Sequence, residues 1–216
     1  MTETDLPVPT GGHILLRSEY TDYKLYDFEC NIDPENNCFN SIDSMCDYYT
    51  EEKFNDTVNL DNNFSVIHFN CRSLYANFAK IQEYIRSFKH TFSVIALSET
   101  WLDEDRGVDF CMEGYELHHC TRRDKRGGGV ALFVTTDFKC RIVECMTTAI
   151  TDLFECVTVE IDMENKRNAV VTCIYRTPGS KIETFNEHLE KVLCQLNEKK
   201  MYILCGDINI DLLSLH

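Results

Sequence analysis

The sequence predicts a mixed α/β fold in which two packed sheets carry helices on their outer faces. Three observations support this: a β-α-β pattern begins near residue 64, a series of short strands with tight turns follows, and a second helix leads into a last apolar strand. A β-α-β unit favours parallel strands and tight turns join antiparallel ones, so both kinds of pairing are expected. This succession of elements is typical of helices that cover packed sheets.

The β-α-β pattern begins with FSVIHFN (64–70) and ends with FSVIALSE (92–99), two apolar runs of strand length. The second run is too short for a buried helix, which favours a buried strand. Between them, residues 77–89 repeat apolar side chains at intervals of three and four, as one face of a helix does. The two strands are therefore expected to be parallel and joined by a right-handed crossover.

Strand-like segments dominate the middle of the chain. YELHHC and GVALFVT flank the charged, glycine-rich TRRDKRGG, which is typical of a hairpin tip. KCRIVEC, LFECVTVEI and NAVVTCIY follow, with turns expected at Asp152 and at 164–168. A helix is then predicted over about 181–198, where apolar residues form a stripe, and MYILCGDIN (201–209) is predicted to be a buried strand.

The first 63 residues are predicted to be an acidic, weakly structured extension of a domain that spans residues 64–216. The chain has a formal charge of −15, and residues 1–60 contain 13 acidic and 3 basic side chains. Within this extension, CDYYTEEKFN favours a short helix, because Thr50 can cap it and Glu51 and Glu52 suit its first turn. The acidic balance argues against non-specific nucleic-acid binding but allows a local basic patch.

The composition excludes several classes of protein. With 44% hydrophobic and 26% charged residues, the chain is too apolar to be disordered throughout. No apolar run approaches the roughly 20 residues of a bilayer span, and the N-terminus lacks the basic and apolar regions of a secretory signal. The 12 cysteines form no CxxC pair, so we expect reduced thiols and a nuclear or cytoplasmic protein rather than a secreted or membrane one.

Chemically capable polar residues follow four of the predicted strands. They are Asn70 to Ser73, Ser98 to Trp101, Tyr175 to Gly179, and Gly206 to Asn209. Ligands of α/β sheets bind outside the carboxyl ends of strands, so these four ends are expected to converge on one cleft. Its two carboxylates, two amides, phenol and two guanidinium groups suit a Mg²⁺-assisted phosphoester site, with hard oxygen ligands for the ion and cations for phosphate.

Each of these residues also has an ordinary structural explanation. Asn70 could cap a turn, Glu99 could be a solvated loop acid, and Gly206-Asp207 is a common turn pair. Tyr175 could pack with its hydroxyl in water. The repetition of the pattern at four strand ends favours a shared site over four unrelated turns.

The motifs FNCRSL, SETWL, RGGGVALFV, YRTPGS and GDINIDLL resemble, in this order, those of the endonuclease/exonuclease/phosphatase family. Specifically, they are similar to the apurinic-type endonuclease domain that opens the second reading frame of non-LTR, LINE-like retrotransposons. The resemblance covers about Phe64–Leu213 and implies a four-layered α/β sandwich of two mixed sheets flanked by helices. It also implies Mg²⁺-dependent nicking of a target DNA duplex by a monomer, with a reverse transcriptase domain downstream in a longer product.

The resemblance further implies roles for individual residues. Glu99 would ligate Mg²⁺, and Asn70 would lie beside it in the metal and phosphate shell. Asp207 would position or activate the attacking water, Asn209 would hold the scissile phosphate and orient Asp207, and Tyr175 would hydrogen-bond a phosphate oxygen. Three further polar side chains beside these motifs are candidates for phosphate binding: Arg72, Ser73 and Arg176.

The predicted hairpin tip carries four positive charges, on Arg122, Arg123, Lys125 and Arg126. One hypothesis is that the tip contacts the DNA backbone beside the cleft. The other is that it is a solvated tip whose charges keep the strand edges soluble. The sequence leaves both open.

The last motif of the family, Ser-Asp-His, is not found in this sequence. The chain ends at His216, nine residues after Asp207, and no Ser-Asp pair precedes that histidine, so His216 is not expected to be catalytic. An acid–base partner contributes roughly 10²–10⁴-fold in rate, so we expect impaired cleavage and a fold that is incomplete at its C-terminus. The alternative function is a catalytically inactive remnant that binds nucleic acid or protein. SETWL and YRTPGS favour the retrotransposon branch over enzymes that act on phosphoinositides or other phosphoesters.

Overall fold

The computed structural model describes residues 13–15, 49–59, 63–103, 110–122, 126–163, 167–195 and 200–210. These residues form an α/β fold of two mixed sheets and three helices, in agreement with the predicted fold class. The sheets face each other, and the helices pack against their outer faces. None of the helices in this part of the chain combines the length and the apolar composition that crossing a lipid bilayer requires.

The first sheet is built around the predicted β-α-β unit. Its five strands are β1 (His13–Leu15), β2 (Val66–Asn70), β3 (Val94–Ser98), β4 (Tyr115–Cys120) and β5 (Val130–Thr135), in the order β1-β2-β3-β5-β4. β2 and β3 are parallel and are connected through helix α2 (Leu74–Ser87), which begins three residues before the predicted start. β4 and β5 are antiparallel, so the predicted hairpin is confirmed.

The second sheet contains the remaining strands. They are β6 (Cys140–Ile142), β7 (Thr148–Ile150), β8 (Phe154–Ile161), β9 (Ala169–Arg176) and β10 (Met201–Asp207). β8 and β9 are antiparallel, whereas β9 and β10 are parallel and are connected through helix α3 (Ile182–Leu193). The strand predicted at KCRIVEC is shorter than expected, because a 3₁₀ turn at Glu144–Met146 follows it. The predicted end of the second helix lies partly outside the described residues.

Three apolar layers hold these elements together. Between the sheets, alternate residues of β3 and β5 face those of β8 and β9. Helix α2 covers the outer face of the first sheet through Ile81 and Ile85, and helix α3 covers the second sheet through Phe185 and Val192. Successive side chains of a strand point to opposite faces of its sheet. The central strands therefore have two apolar faces, one towards the other sheet and one towards a helix.

The folded part of the chain begins before the predicted boundary at residue 64. Helix α1 (Glu51–Thr57) forms where the sequence predicts it, with the Thr50 hydroxyl accepting a hydrogen bond from the Lys53 N–H at 3.3 Å. Phe54 on this helix is 1% exposed and packs edge-on against Phe88 in the core of the first sheet. The predicted helix before residue 64 therefore contributes Phe54 to the core of the domain.

Replacing Phe54 with alanine is expected to lower the free energy of unfolding by about 3–5 kcal/mol, because the substitution leaves a cavity in the core. Chemical denaturation followed by circular dichroism measures the change. Glu52, which is exposed on the same helix, supplies the matched control: Glu52→Gln should alter stability by no more than about 0.5 kcal/mol. Equally small effects of both substitutions would show that α1 is not part of the cooperative fold.

Candidate active site

The carboxyl ends of four strands carry the polar residues that the sequence singles out. In the first sheet, parallel β2 and β3 place Asn70 opposite Ser98, so Glu99 follows directly beside it. In the second sheet, parallel β9 and β10 place Tyr175 opposite Asp207. β10 also contacts β2 and β3 across the interface between the sheets, which brings the two pairs of strand ends together.

The Asn70 side chain connects the two sheets at this point. Its Nδ2 donates hydrogen bonds to Glu99 Oε1 at 3.0 Å and to Asp207 Oδ2 at 2.7 Å. Asn70 and Asp207 are 137 positions apart in the chain, so the two carboxylates meet only through the packing of the sheets. One amide thus holds two acidic groups close together in a partly buried position.

The side chains of Asn70, Glu99 and Asp207, joined by these two hydrogen bonds, form what we call the Asn70–Glu99–Asp207 link. The backbone next to this link is strained. Glu99 has a φ of 54° and Arg72 a φ of 41°, both in the left-handed region that non-glycine residues rarely occupy. Such residues persist where surrounding contacts over-determine them, and they cluster at functional sites. Here the Ser73 N–H donates to the Glu99 carbonyl at 2.8 Å, so each strand end fixes the conformation of the other. This arrangement keeps the Glu99 carboxylate directed at Asn70.

Tyr175 lies on the inner face of the second sheet, close to the same carboxylates. It is 6% exposed and packs in the apolar layer between the sheets. Burial, followed by the negative charges of Glu99 and Asp207, raises the pKa of the Tyr175 hydroxyl to about 12. The phenol keeps its proton at neutral pH, as an ordinary tyrosine does, and can donate a hydrogen bond to an anionic ligand.

Asn209 orients Asp207 through its backbone. Its N–H donates to Asp207 Oδ1 at 3.0 Å, while its side-chain Nδ2 donates to the Arg176 carbonyl at 2.7 Å. The Arg176 guanidinium donates in return to the carbonyl oxygens of Ile208 and Asn209, at 3.2 and 3.0 Å, and to that of Ser180. Arg176 is only 3% exposed, which departs from its predicted contact with phosphate. Through these hydrogen bonds, the Arg176 guanidinium instead holds the segment after β10 against the end of β9.

Arg122 is buried next to the site and is not on an exposed tip. It is 8% exposed, its Nε lies 2.6 Å from Glu155 Oε1, and its Nη2 donates to Thr177 Oγ1 at 3.2 Å. Burial raises the pKa of Glu155, while the hydrogen bond and charge of Arg122 and the bond from the Gly129 N–H act in the opposite direction. The prediction that Arg122 contacts DNA from the tip is therefore corrected: it neutralises a buried carboxylate.

Glu155 is a neighbour of the site that sequence reasoning missed. It lies opposite Tyr175 in the pairing of β8 with β9 and is 0% exposed. The available signal was a glutamate inside the apolar run LFECVTVEI. Because a carboxylate is almost never fully buried without a partner, this position indicated a buried cation such as Arg122.

The other basic residues of the tip are placed differently. Arg123 and Lys125 lie outside the described residues. Arg126 is exposed, and its guanidinium lies 5.8 Å from the centre of the Trp101 ring. Gly128 has a φ of 68°, and a Cβ there would overlap the Arg122 guanidinium, so the glycine run lets the backbone pass over the buried pair.

The two candidate phosphate ligands that follow Asn70 differ in accessibility. Arg72 is exposed, and its N–H donates to Asn70 Oδ1 at 3.3 Å. Ser73 is buried at the start of α2, with its N–H bonded to the Glu99 carbonyl. Arg72 can therefore reach a ligand from solvent. The N–H of Ser73, in contrast, already donates its hydrogen bond to the residue that follows β3.

The donor set at the link fits a hard divalent cation. Glu99 and Asp207 each bring carboxylate oxygens to within a hydrogen bond of the same nitrogen atom, and Mg²⁺ prefers such oxygen ligands. Asn70 turns its amide nitrogen towards both carboxylates and thereby holds the two acidic groups in position. Its role as a metal ligand stays a prediction.

The family model described as the Endonuclease/Exonuclease/phosphatase family matches residues 67–215. The chain belongs to this family. The matched span includes the strand ends of both sheets and therefore the whole Asn70–Glu99–Asp207 link. No curated protein matches the sequence at a significant level.

Solved structures share the fold at low sequence identity. An AP endonuclease from Archaeoglobus fulgidus has a TM-score of 0.51 and 16% identity, over 71% of this chain and 61% of that one. The AP endonuclease LMAP from Leishmania major has a TM-score of 0.51 and 15% identity, over 68% of this chain and 55% of that one. Humanized D. rerio TDP2 has a TM-score of 0.50 and 15% identity, over 69% and 68%. The chain thus spans about half to two thirds of their length.

Removing the Arg122 charge is expected to be strongly destabilising. Arg122→Met should lower the free energy of unfolding by about 3–5 kcal/mol, because the buried Glu155 carboxylate loses its counter-charge. Arg122→Met combined with Glu155→Gln should be less damaging, since no uncompensated charge then remains. Urea denaturation compares both variants with Arg126→Met, an exposed control expected to change stability by at most about 0.5 kcal/mol. Equal losses for Arg122→Met and Arg126→Met would rule out the buried pair.

Proposed function

We propose that this chain is a Mg²⁺-dependent endonuclease that hydrolyses phosphodiester bonds and nicks duplex DNA. The observation that carries the proposal is the link in which the carboxylates of Glu99 and Asp207 converge on the Asn70 amide, beside the protonated hydroxyl of Tyr175. Membership of a family whose enzymes generally use a divalent metal supports this chemistry. Two solved structures that share the fold are named AP endonucleases.

Each residue of the link, and Tyr175 beside it, has a separate role in this proposal. Glu99 would hold Mg²⁺, which would supply positive charge against the charge that develops on the phosphate oxygens. Asn70 holds Glu99 and Asp207 at a fixed separation. Asp207 is oriented by Asn70 and by the Asn209 N–H to accept a proton from the attacking water. Tyr175 donates its hydroxyl hydrogen to a phosphate oxygen, where a preorganised donor stabilises the transition state.

Exposed cations beside the link support binding to the DNA backbone. Arg72 lies two residues after Asn70 and is open to solvent. Arg126 lies over Trp101, which itself follows Glu99 by two residues. These local charges offset the net charge of −15 where a phosphate would approach. We therefore propose that Arg72 and Arg126 contact phosphates on either side of the cleft.

Relaxation of a supercoiled plasmid in the presence of Mg²⁺ tests the nuclease proposal. The wild-type chain should convert supercoiled to nicked plasmid, and a chelator should stop the reaction. Glu99→Gln and Asp207→Asn should each lower the nicking rate by roughly 10²–10⁴-fold, because each removes a group used in the transition state.

Glu144→Gln is the matched control, since Glu144 is exposed on the 3₁₀ turn of the second sheet and should leave the rate unchanged. Nicking that survives both site substitutions would place the activity elsewhere. A folded wild-type chain that binds DNA without nicking it would instead favour the alternative of an inactive nucleic-acid-binding remnant.

The salt dependence of DNA binding tests the arginine contacts. Arg72→Ala should weaken binding to a duplex oligonucleotide uniformly across sequences and reduce the slope of log K against log salt by about 1. Fluorescence anisotropy without divalent ions, between roughly 50 and 200 mM salt, measures this slope. Arg86→Ala, which changes another exposed arginine at the far end of α2, should leave the slope unchanged. An identical slope for wild type and Arg72→Ala would remove Arg72 from the interface.

We further propose that the nicking serves target-site priming in a non-LTR retrotransposon, in the nucleus or cytoplasm, with a reverse transcriptase domain in a longer product. The support is the order of the motifs, SETWL and YRTPGS in particular. Sequencing of the transcript tests this: a reading frame that continues into Ser-Asp-His and polymerase motifs is expected. A stop codon directly after codon 216 in the transcript would contradict the longer product.

A further inference from the structure

A second group of side chains that can ligate a metal ion lies where an edge strand of the first sheet meets an edge strand of the second. In the second sheet, this edge is the one opposite β10. β4 is the edge strand of the first sheet, and β6 is an edge strand of the second. Glu116 and His118 lie on the same face of β4, and Cys140 is the first residue of β6. One ligand atom from each of the three side chains lies within 4.8 Å of the other two.

The three side chains bring their ligand atoms to within about half an ångström of the spacing in a tetrahedral site. His118 Nε2 lies 3.1 Å from Cys140 Sγ and 3.6 Å from Glu116 Oε1, and Cys140 Sγ lies 3.9 Å from Glu116 Oε2. Bonds of about 2.0–2.3 Å from zinc to nitrogen, oxygen and sulfur, at tetrahedral angles, place ligands roughly 3.4–3.6 Å apart. Small adjustments of the side chains would therefore bring all three onto one ion.

The chemistry of the donors separates this group from the Asn70–Glu99–Asp207 link. A thiolate and an imidazole select a borderline metal such as Zn²⁺, whereas Mg²⁺ needs oxygen ligands. His118 is buried at 8% exposure, while the Glu116 side chain is 63% exposed, so the group is anchored on one side and open to water on the other. Three protein ligands with one position open to solvent is a common zinc arrangement.

We propose that Glu116, His118 and Cys140 form a Zn²⁺ site that clamps the edge of the first sheet to the edge of the second. Binding replaces the thiol proton of Cys140, which leaves to solvent, and water fills the fourth position. The clamp joins β4 to β6 directly, across the apolar layer that otherwise holds the two sheets together. It lies away from the link, so its occupancy does not depend on the proposed nuclease activity.

Titration of the purified, metal-free chain with Co²⁺ tests this site, because tetrahedral Co²⁺ with a thiolate ligand has intense visible bands and a sulfur-to-metal charge-transfer band. The wild-type chain should bind one Co²⁺ with this spectrum, and Zn²⁺ but not Mg²⁺ should displace it. Cys140→Ser should abolish the charge-transfer band. Cys145→Ser, a neighbouring exposed cysteine outside the group, should keep it.

Glu116→Gln supplies a second test that does not depend on a core substitution, since this side chain is exposed. It should preserve the circular dichroism spectrum and weaken Co²⁺ binding at least tenfold. Glu99→Gln should keep the wild-type Co²⁺ spectrum, so loss of nicking and loss of this site are separable. A wild-type chain without a tetrahedral spectrum, or a Cys140→Ser variant that retains the charge-transfer band, would overturn the proposal.

Discussion

The hydrogen bonds from one amide, that of Asn70, to the carboxylates of Glu99 and Asp207 are the contacts on which the candidate site depends. They form only if the two sheets pack in one relative position, because Asn70 and Glu99 belong to the first sheet and Asp207 to the second. The apolar layer between the sheets sets that position. If one sheet moved past the other by the length of one residue, the two carboxylates would separate. The packing of the core therefore determines the geometry of the site.

Several features around the link are unfavourable for stability but fix the geometry of the site. Glu99 and Arg72 have strained backbones, and Glu155 and Arg122 are charged groups removed from water. Each of these features is unfavourable alone and persists because neighbouring contacts compensate it. Their concentration around Asn70 and Tyr175 is the pattern expected where a protein preorganises charge for binding or catalysis.

Local patterns predicted most of the elements, because the period of apolar residues reports which face of a strand or helix is buried. α1 was placed correctly with its Thr50 cap, yet its membership in the core escaped prediction, since nothing in the local sequence shows that Phe54 meets Phe88. The basic tip was read as four equivalent charges. Arg122 differs from Arg126 because it meets Glu155 and Thr177, which belong to other segments of the chain.

The sequence by itself determined most of the strands and helices and the polar residues that end four of the strands, because these follow from the neighbours of a residue along the chain. Tertiary structure alone decided which of those residues meet. It brought Asp207 to Asn70, withdrew Arg176 and Arg122 from solvent, and placed Cys140 beside His118, although cysteine spacing indicates no metal motif. The physical reason is that side-chain contacts between sheets depend on the packing of distant segments, whose register is set by the whole core and not by any short run of residues.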